Sequence, residues 1–195
     1  MATTIVMVRH GETDWNRERR FQGHADVPLN ASGRAQVAAL AEQLVGQRFA
    51  AAYTSPLRRA TESAEILGVR LGLVAVPSDA LKEVDVGSWS GLTAPEIERR
   101  YPDGYSRWID WRVEGWHDGE QYEDFSRRVV GGLLEIAARH PDEQVLAVTH
   151  GGPIRSALAA ALDLSLDELR GRNTVFENCA TVRIAVEEGS LEAVD

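Results

Sequence analysis

A single cysteine, Cys179, stands among 195 residues, so no disulfide can close within the chain. That agrees with a reducing compartment. Long apolar runs are missing as well: nothing approaches the roughly 18 residues that a membrane-crossing helix needs. The opening residues Met1-Ala2-Thr3-Thr4 carry no basic stretch and lead straight into a strand-like run. This reads as the absence of a secretion signal and points to the cytoplasm. Cys and His never fall at zinc-type spacings, so neither a metal nor another cofactor is expected. No repeat, low-complexity tract or linker interrupts the sequence, and one domain spanning 1–195 is the simplest division. Positive charge is short too. A net charge of −9 leaves no Lys/Arg stripe with which to neutralise a nucleic-acid backbone. A small anion is a different matter, because it responds to the field of a few arginines in a cleft.

Apolar residues make up 44% and charged residues 26%, enough for one substantial core in a soluble globular protein. Strand-like and helix-like segments alternate, the pattern of an α/β layer fold. Thr4 to Val8 is a β-branched run suited to a central strand covered on both faces. Asn30 opens a helix through about Val45, with Val37, Leu40, Ala41 and Leu44 on one stripe. Ala51 to Thr54 reads as a short strand, followed by a helix from about Pro56 to Leu67. Leu73 to Val76 reads as another strand. Ala94 to Arg100 suits a short helix, and Pro102-Asp103-Gly104 a turn. A longer helix covers Tyr122 to Arg139. Gln144 to Val148 is the second buried strand, with a helix from Gly152 to Leu162 after it. Asn178 to Val186 and Ser190 to Val194 form a closing hairpin around Glu188-Gly189. The sum is five or six strands in a mostly parallel sheet with helices on both faces.

Both buried strands end in a His-Gly pair, at His10-Gly11 and His150-Gly151. Ligands of open α/β sheets sit beyond the carboxyl ends of the strands, so two histidines 140 residues apart can face one cleft. Glycines after them allow a tight turn and close approach of backbone N–H groups to an anion. The helix starting near Gly152-Pro153 adds a favourable dipole. A neutral imidazole is a competent nucleophile near neutral pH, and a covalent phospho-enzyme divides a very slow hydrolysis into two easier steps. The three equatorial oxygens of a transferring phosphoryl group call for fixed cationic donors, which Arg9 and Arg59 can supply as bidentate forks.

The motifs surrounding these residues resemble the histidine phosphatase superfamily, whose best-known branch is the cofactor-dependent phosphoglycerate mutases. Val8-Arg9-His10-Gly11-Glu12-Thr13-Asp14-Trp15-Asn16 resembles the family's opening signature, and Phe21-Gln22-Gly23 its continuation. Ser55-Pro56-Leu57-Arg58-Arg59-Ala60-Thr61-Glu62-Ser63-Ala64 resembles its second block, with Ser63 where Thr is usual. Leu81-Lys82-Glu83 with Gly87-Ser88-Trp89-Ser90-Gly91 resembles the third, and Thr149-His150-Gly151-Gly152-Pro153 the last. The resemblance implies a three-layer α/β/α sandwich of phosphoglycerate mutase-like type. It implies that His10 becomes phosphorylated and that Arg9, Arg59 and His150 hold the phosphoryl oxygens. Asn16, Gln22 and Gly23 would line the pocket with Gly151, and Glu83 would serve as general acid and then base, with Asp85 a weaker rival. Ser55 reads as a helix cap, His140 as a C-terminal cap, His24 as a neighbour of the site and Cys179 as a core strand residue.

Residues 93–123 form the segment expected to choose the substrate. The mutases carry a Pro-rich, basic stretch there. This chain instead offers Arg99, Arg100, Arg107 and Arg112 against Glu96, Glu98, Asp103, Asp110, Glu114, Asp118, Glu120 and Glu123. Such a balance is poor for retaining a bisphosphate and favours water as the final acceptor. Gly119-Glu120-Gln121 departs from the G-E-S element of related small phosphatases. Trp108, Trp111 and Trp116 supply either a stacking wall or plain packing, and His117 is a candidate for substrate choice. The expected activity is therefore a metal-independent phosphatase acting on a small phosphorylated metabolite, as monomer or homodimer, with no nucleic-acid or membrane partner. A phosphoglycerate mutase or α-ribazole-phosphate-type phosphatase is the alternative, and a non-catalytic phospho-ligand module a remote one.

Overall fold

The computed structural model describes residues 2–109, 115–116, 118–165, 168 and 176–194. Among them, six strands form one sheet in the order β3-β2-β4-β1-β5-β6. The strands are β1 (Thr3–Arg9), β2 (Ala51–Thr54), β3 (Ala75–Pro77), β4 (Gln144–Thr149), β5 (Thr181–Glu187) and β6 (Ser190–Val194). β1, β2, β3 and β4 run parallel, while β5 pairs antiparallel with both β1 and β6. The helices are α1 (Asp14–Arg17), α2 (Ala31–Leu44), α3 (Arg58–Leu71), α4 (Ala94–Arg100), α5 (Pro102–Ile109), α6 (Tyr122–Arg139) and α7 (Gly151–Ala161). None of the helices described is long and apolar enough to cross a membrane.

Period-two alternation divides the core between the two faces. Ile5, Met7, Tyr53, Val145, Ala147 and Ile184 point to one side, where Val129, Leu133 and Ile136 of α6 and Ile154 of α7 cover them. Val6, Val8, Ala52, Leu146 and Val148 point to the other, beneath Val37, Leu40 and Leu44 of α2 and Ala64 and Leu67 of α3. The expected α/β/α layering follows directly from this division. Trp89 and Trp116 are buried with Phe21, their ring centroids 5.5 to 6.2 Å apart, and Trp108 packs against all three. These indoles are packing. Trp111, like Asp110, Arg112, Glu114 and His117, lies outside the described residues.

Three local expectations need correction. Pro102-Asp103-Gly104 is the first turn of α5, where the proline's missing N–H would have had no helical partner anyway. α3 begins at Arg58, after Pro56 has turned the chain, and continues to Leu71, where Gly72 closes it at φ +71°. Cys179 sits in a turn at φ +63°, not in a strand, and is only partly buried. Its N–H donates to the Arg9 carbonyl (3.0 Å), and the Arg9 N–H donates to the Ala180 carbonyl (3.0 Å). The turn thereby folds over the end of β1. By contrast, the hairpin at Glu188-Gly189 forms as expected, both residues having positive φ, as the twist of a two-residue turn requires.

Candidate active site

Parallel pairing brings the candidate residues together. Arg9 lies opposite Thr149 in the β1–β4 register, so the next residues, His10 and His150, leave the sheet side by side. The His10 N–H donates to the Thr149 carbonyl (2.9 Å), and the ring centroids are 5.1 Å apart at 63°. β2 ends next to them and delivers Ser55, whose N–H donates to the Val148 carbonyl (2.9 Å).

The ring of His10 is 2% exposed, and its Nδ1 lies 2.7 Å from the Gly11 carbonyl. A carbonyl only accepts, so Nδ1 carries the proton and the Nε2 lone pair is free. Burial, with Arg59 and Arg9 adding to it, holds the imidazole well below its ordinary pKa, so it stays neutral at physiological pH. His150, 0% exposed, has the opposite tautomer. Its Nδ1 accepts from Arg59 Nε (3.2 Å), so its protonated Nε2 donates to Ser55 Oγ (2.7 Å). Burial and then Arg59, His10 and Arg9 depress its pKa as well.

Arg59 is 1% exposed and enters from the first turn of α3. It also donates to the Ala25 carbonyl (3.0 Å) and the Gly23 carbonyl (2.8 Å). Of the five N–H donors of a guanidinium, these three contacts leave two for a ligand. Burial pulls its pKa down to about 10, and it remains charged. Arg9 donates through one terminal nitrogen to the Phe176 carbonyl, while its buried Nε has no partner among the described residues. Burial lowers its pKa too, with Glu83 and Glu177 opposing. A charged donor hidden from water and left without an acceptor is costly unless a ligand oxygen completes it.

The Glu83 carboxylate lies at the start of α7, accepting from the Val84 N–H (2.9 Å) and the Gly152 N–H (3.3 Å). A Cβ on Gly152 would come within 2.0 Å of Glu83 Oε1, so glycine there makes room for the carboxylate. Gly151 stands beside Arg9 Nε. Asp85, the rival, accepts from the Gly87 N–H (2.9 Å) and caps a turn. Gln22 is 9% exposed, with a buried Oε1 unpartnered among the described residues. Gly23 turns at φ +47° and presents its carbonyl to Arg59. Asn16 forms a capping box with Thr13, so its Oδ1 is committed to local structure.

One of the two amides expected to meet an anion, that of Gly11, is engaged elsewhere. The Gly11 N–H donates to Ser63 Oγ (3.1 Å), and the Gly152 N–H donates to Glu83. Gly11 is required because a Cβ would sit 2.5 Å from the Gly33 carbonyl, where α2 presses on the loop.

Sequence reasoning also missed partners. Ser55 does not cap α3, whose N-cap is Leu57; it accepts from His150 and fixes that ring. Asn178 Nδ2 donates both to the His10 carbonyl (3.0 Å) and to Asn16 Oδ1 (3.3 Å), joining nucleophile and loop from the turn before β5 rather than from the strand expected there. His24 Nε2 donates to the Glu83 carbonyl (2.8 Å), so it borders the site through the main chain. His140 caps α6 as expected, and its ring lies between Tyr53 Oη (2.9 Å) and Glu143 (3.0 Å), away from the two site histidines. Among the described residues, no three His, Cys, Asp or Glu side chains group closely enough to hold a metal ion. The assembled parts are a neutral imidazole with a free Nε2, two guanidiniums with donors to offer, and a carboxylate beside them.

The sequence profile of the histidine phosphatase superfamily (branch 1) matches residues 5–195. The phosphatase PhoE of Bacillus subtilis is 36% identical over 156 residues, covering 80% of this chain and 76% of that protein. Phosphoserine phosphatase 1 of Hydrogenobacter thermophilus is 32% identical over 166 residues, covering 84% and 78% respectively. The solved structure of YhfR from Bacillus stearothermophilus superposes with a TM-score of 0.90 at 34% identity, over 98% of this chain and 95% of that one.

Proposed function

The chain belongs to the histidine phosphatase superfamily (branch 1) and is a phosphoric monoester hydrolase, and from that premise we propose that it hydrolyses a small phosphomonoester through a phosphohistidine on His10. The observation that carries this reading is the tautomer of His10. Its proton is held on Nδ1 by Gly11, so Nε2 is a neutral nucleophile at a site where two guanidiniums have donors free.

Nε2 attacks phosphorus in line with the ester oxygen. The N–P bond forms as the O–P bond breaks, and Arg9 and Arg59 take the charge on the equatorial oxygens. Glu83 gives a proton to the departing alkoxide. Glu83 then accepts a proton from water as that water attacks phosphorus, the N–P bond breaks, and phosphate leaves. His150, kept neutral by burial and its cationic neighbours, accepts from Arg59 Nε and so holds that guanidinium in the site.

Hydrolysis of p-nitrophenyl phosphate in EDTA tests the reading, together with rapid-quench labelling from a 32P-phosphomonoester. Turnover unaffected by the chelator and an acid-labile phospho-adduct, both lost in His10→Ala, are expected. Retained turnover in that variant ends the proposal. Conversion of 3-phosphoglycerate in the presence of 2,3-bisphosphoglycerate, at rates matching the phosphatase activity, would move the assignment to a mutase. A metabolite panel that includes phosphoserine then ranks substrates.

A further inference from the structure

Glu83 lies in irregular chain between two one-turn 3-10 segments, Asp79–Leu81 and Gly87–Trp89. Nothing periodic holds it, yet a general acid must keep its proton within hydrogen-bond reach of the leaving oxygen. One guanidinium organises this stretch. Arg128 of α6 donates to the carbonyls of Asp79 (3.1 Å), Ala80 (3.1 Å), Lys82 (3.2 Å) and Glu83 (3.4 Å). The same group makes a bidentate pair with Glu120, at 2.8 Å on each carboxylate oxygen. Glu120 in turn accepts from the Asp85 N–H (3.3 Å), and its own N–H donates to the Asp85 carbonyl (2.9 Å). Gly119 allows this approach, since a Cβ there would lie 2.2 Å from the Asp85 carbonyl. The chain on both sides of Glu83 is therefore fastened to a single ion pair.

We propose that Arg128 and Glu120 are positioning residues for the general acid: they fix the 79–85 segment so that the Glu83 carboxyl keeps its place at the start of α7, and they tie that place to the 118–121 segment. The pair is largely withdrawn from water, its side chains 24% and 18% exposed. Such a pair is weak evidence of a purely stabilising role, because apolar residues of similar size often serve stability as well or better. What a fork does that apolar packing cannot is point at several carbonyls at once. Displacement of a catalytic group by 1 Å costs on the order of 10²-fold in rate.

The inference rests on Glu83 as the acid, and leaving-group dependence separates the two ideas. kcat/KM reports phosphorylation of His10 when that step is the first irreversible one. Nitrophenolate departs without a proton, whereas the alkoxide of β-glycerol phosphate needs one. Glu83→Gln is expected to lower kcat/KM for β-glycerol phosphate by about 10²-fold or more beyond its effect on p-nitrophenyl phosphate. Arg128→Lys, Arg128→Met and Glu120→Gln are expected to show the same selective loss, about 10-fold to 10²-fold, with Lys failing to rescue because one ammonium cannot reproduce the fork. Arg127→Met is the control from the same helix, since Arg127 is exposed and pairs with Glu123 and Asp124. Equal losses on both substrates in the Arg128 and Glu120 variants, or none, overturn the inference even where Glu83→Gln behaves as expected. If Glu83→Gln itself shows no selectivity, the acid assignment falls and the inference with it.

Discussion

Lowering the pH from 7.5 to 5.5 should destabilise this protein through two particular side chains. His10 and His150 are buried, neutral, and surrounded by Arg59 and Arg9, so both titrate well below the ordinary 6.5 in the folded state. In the unfolded chain each returns to about 6.5. Below that pH the unfolded state binds protons that the folded state refuses, so the contribution is complete above about pH 6.5 and lost as the pH falls beneath it. Each imidazole then costs about 1 kcal/mol at pH 5.5, and the pair about 2–3 kcal/mol. With a urea m-value of about 2 kcal/mol/M, the midpoint should fall by roughly 1 M more in the wild type than in a His10→Asn/His150→Asn double variant, and each single variant should recover about half. Comparing variants cancels every ionisable group that they share. Inorganic phosphate should flatten the wild-type slope, because a bound dianion compensates the charge of a protonated ring. If the double variant loses as much stability over this interval as the wild type, the two imidazoles are not held neutral by burial, and the nucleophile argument loses its electrostatic basis.

Ser55→Ala leaves the His150 Nε2–H buried without its acceptor, a loss of about 1–3 kcal/mol. A thermal melt should drop by several degrees, and kcat/KM should fall by about 10-fold as the ring loses its fixed orientation. Gly152→Ala drives a methyl into Glu83 Oε1. Hydrolysis of alkyl phosphates should fall by about 10²-fold while the circular dichroism spectrum stays native, and full activity would show that the carboxylate does not need this place. Asn178→Asp should cost more than Asn178→Ala in both kcat and urea midpoint, because it sets a carboxylate oxygen against the His10 carbonyl and Asn16 Oδ1 where a donor stood. The reverse order would remove Asn178 from the site.

The sheet was legible because apolar runs such as Ile5-Val6-Met7-Val8 leave few alternatives to a strand covered on both faces. The two His-Gly ends were legible for the same reason, since parallel neighbours finish at one edge. What the sequence did not disclose came from contacts between distant segments. The bond from Ser55 to His150 spans 95 positions and that from Asn178 to His10 spans 168, and neither leaves a local pattern. Gly11 was misread in a more instructive way. It suggested an amide waiting for an anion, but it is small because the Gly33 carbonyl must fit beside it, as Gly152 is small to admit the Glu83 carboxylate. Proline misled at Pro102, where the expected break was a beginning.

The place of β1 in the sheet bears on how the molecule is made. This strand is synthesised before either of its partners, β4, with Thr4 opposite Gln144, and β5, with Val8 opposite Thr181. Until most of the polypeptide has been synthesised, both its edges stay unpaired, an apolar ribbon open to wrong partners. Pairings of such sequence separation form slowly. A nucleophile that takes its place only after β4 and β5 have been made follows from strand order alone.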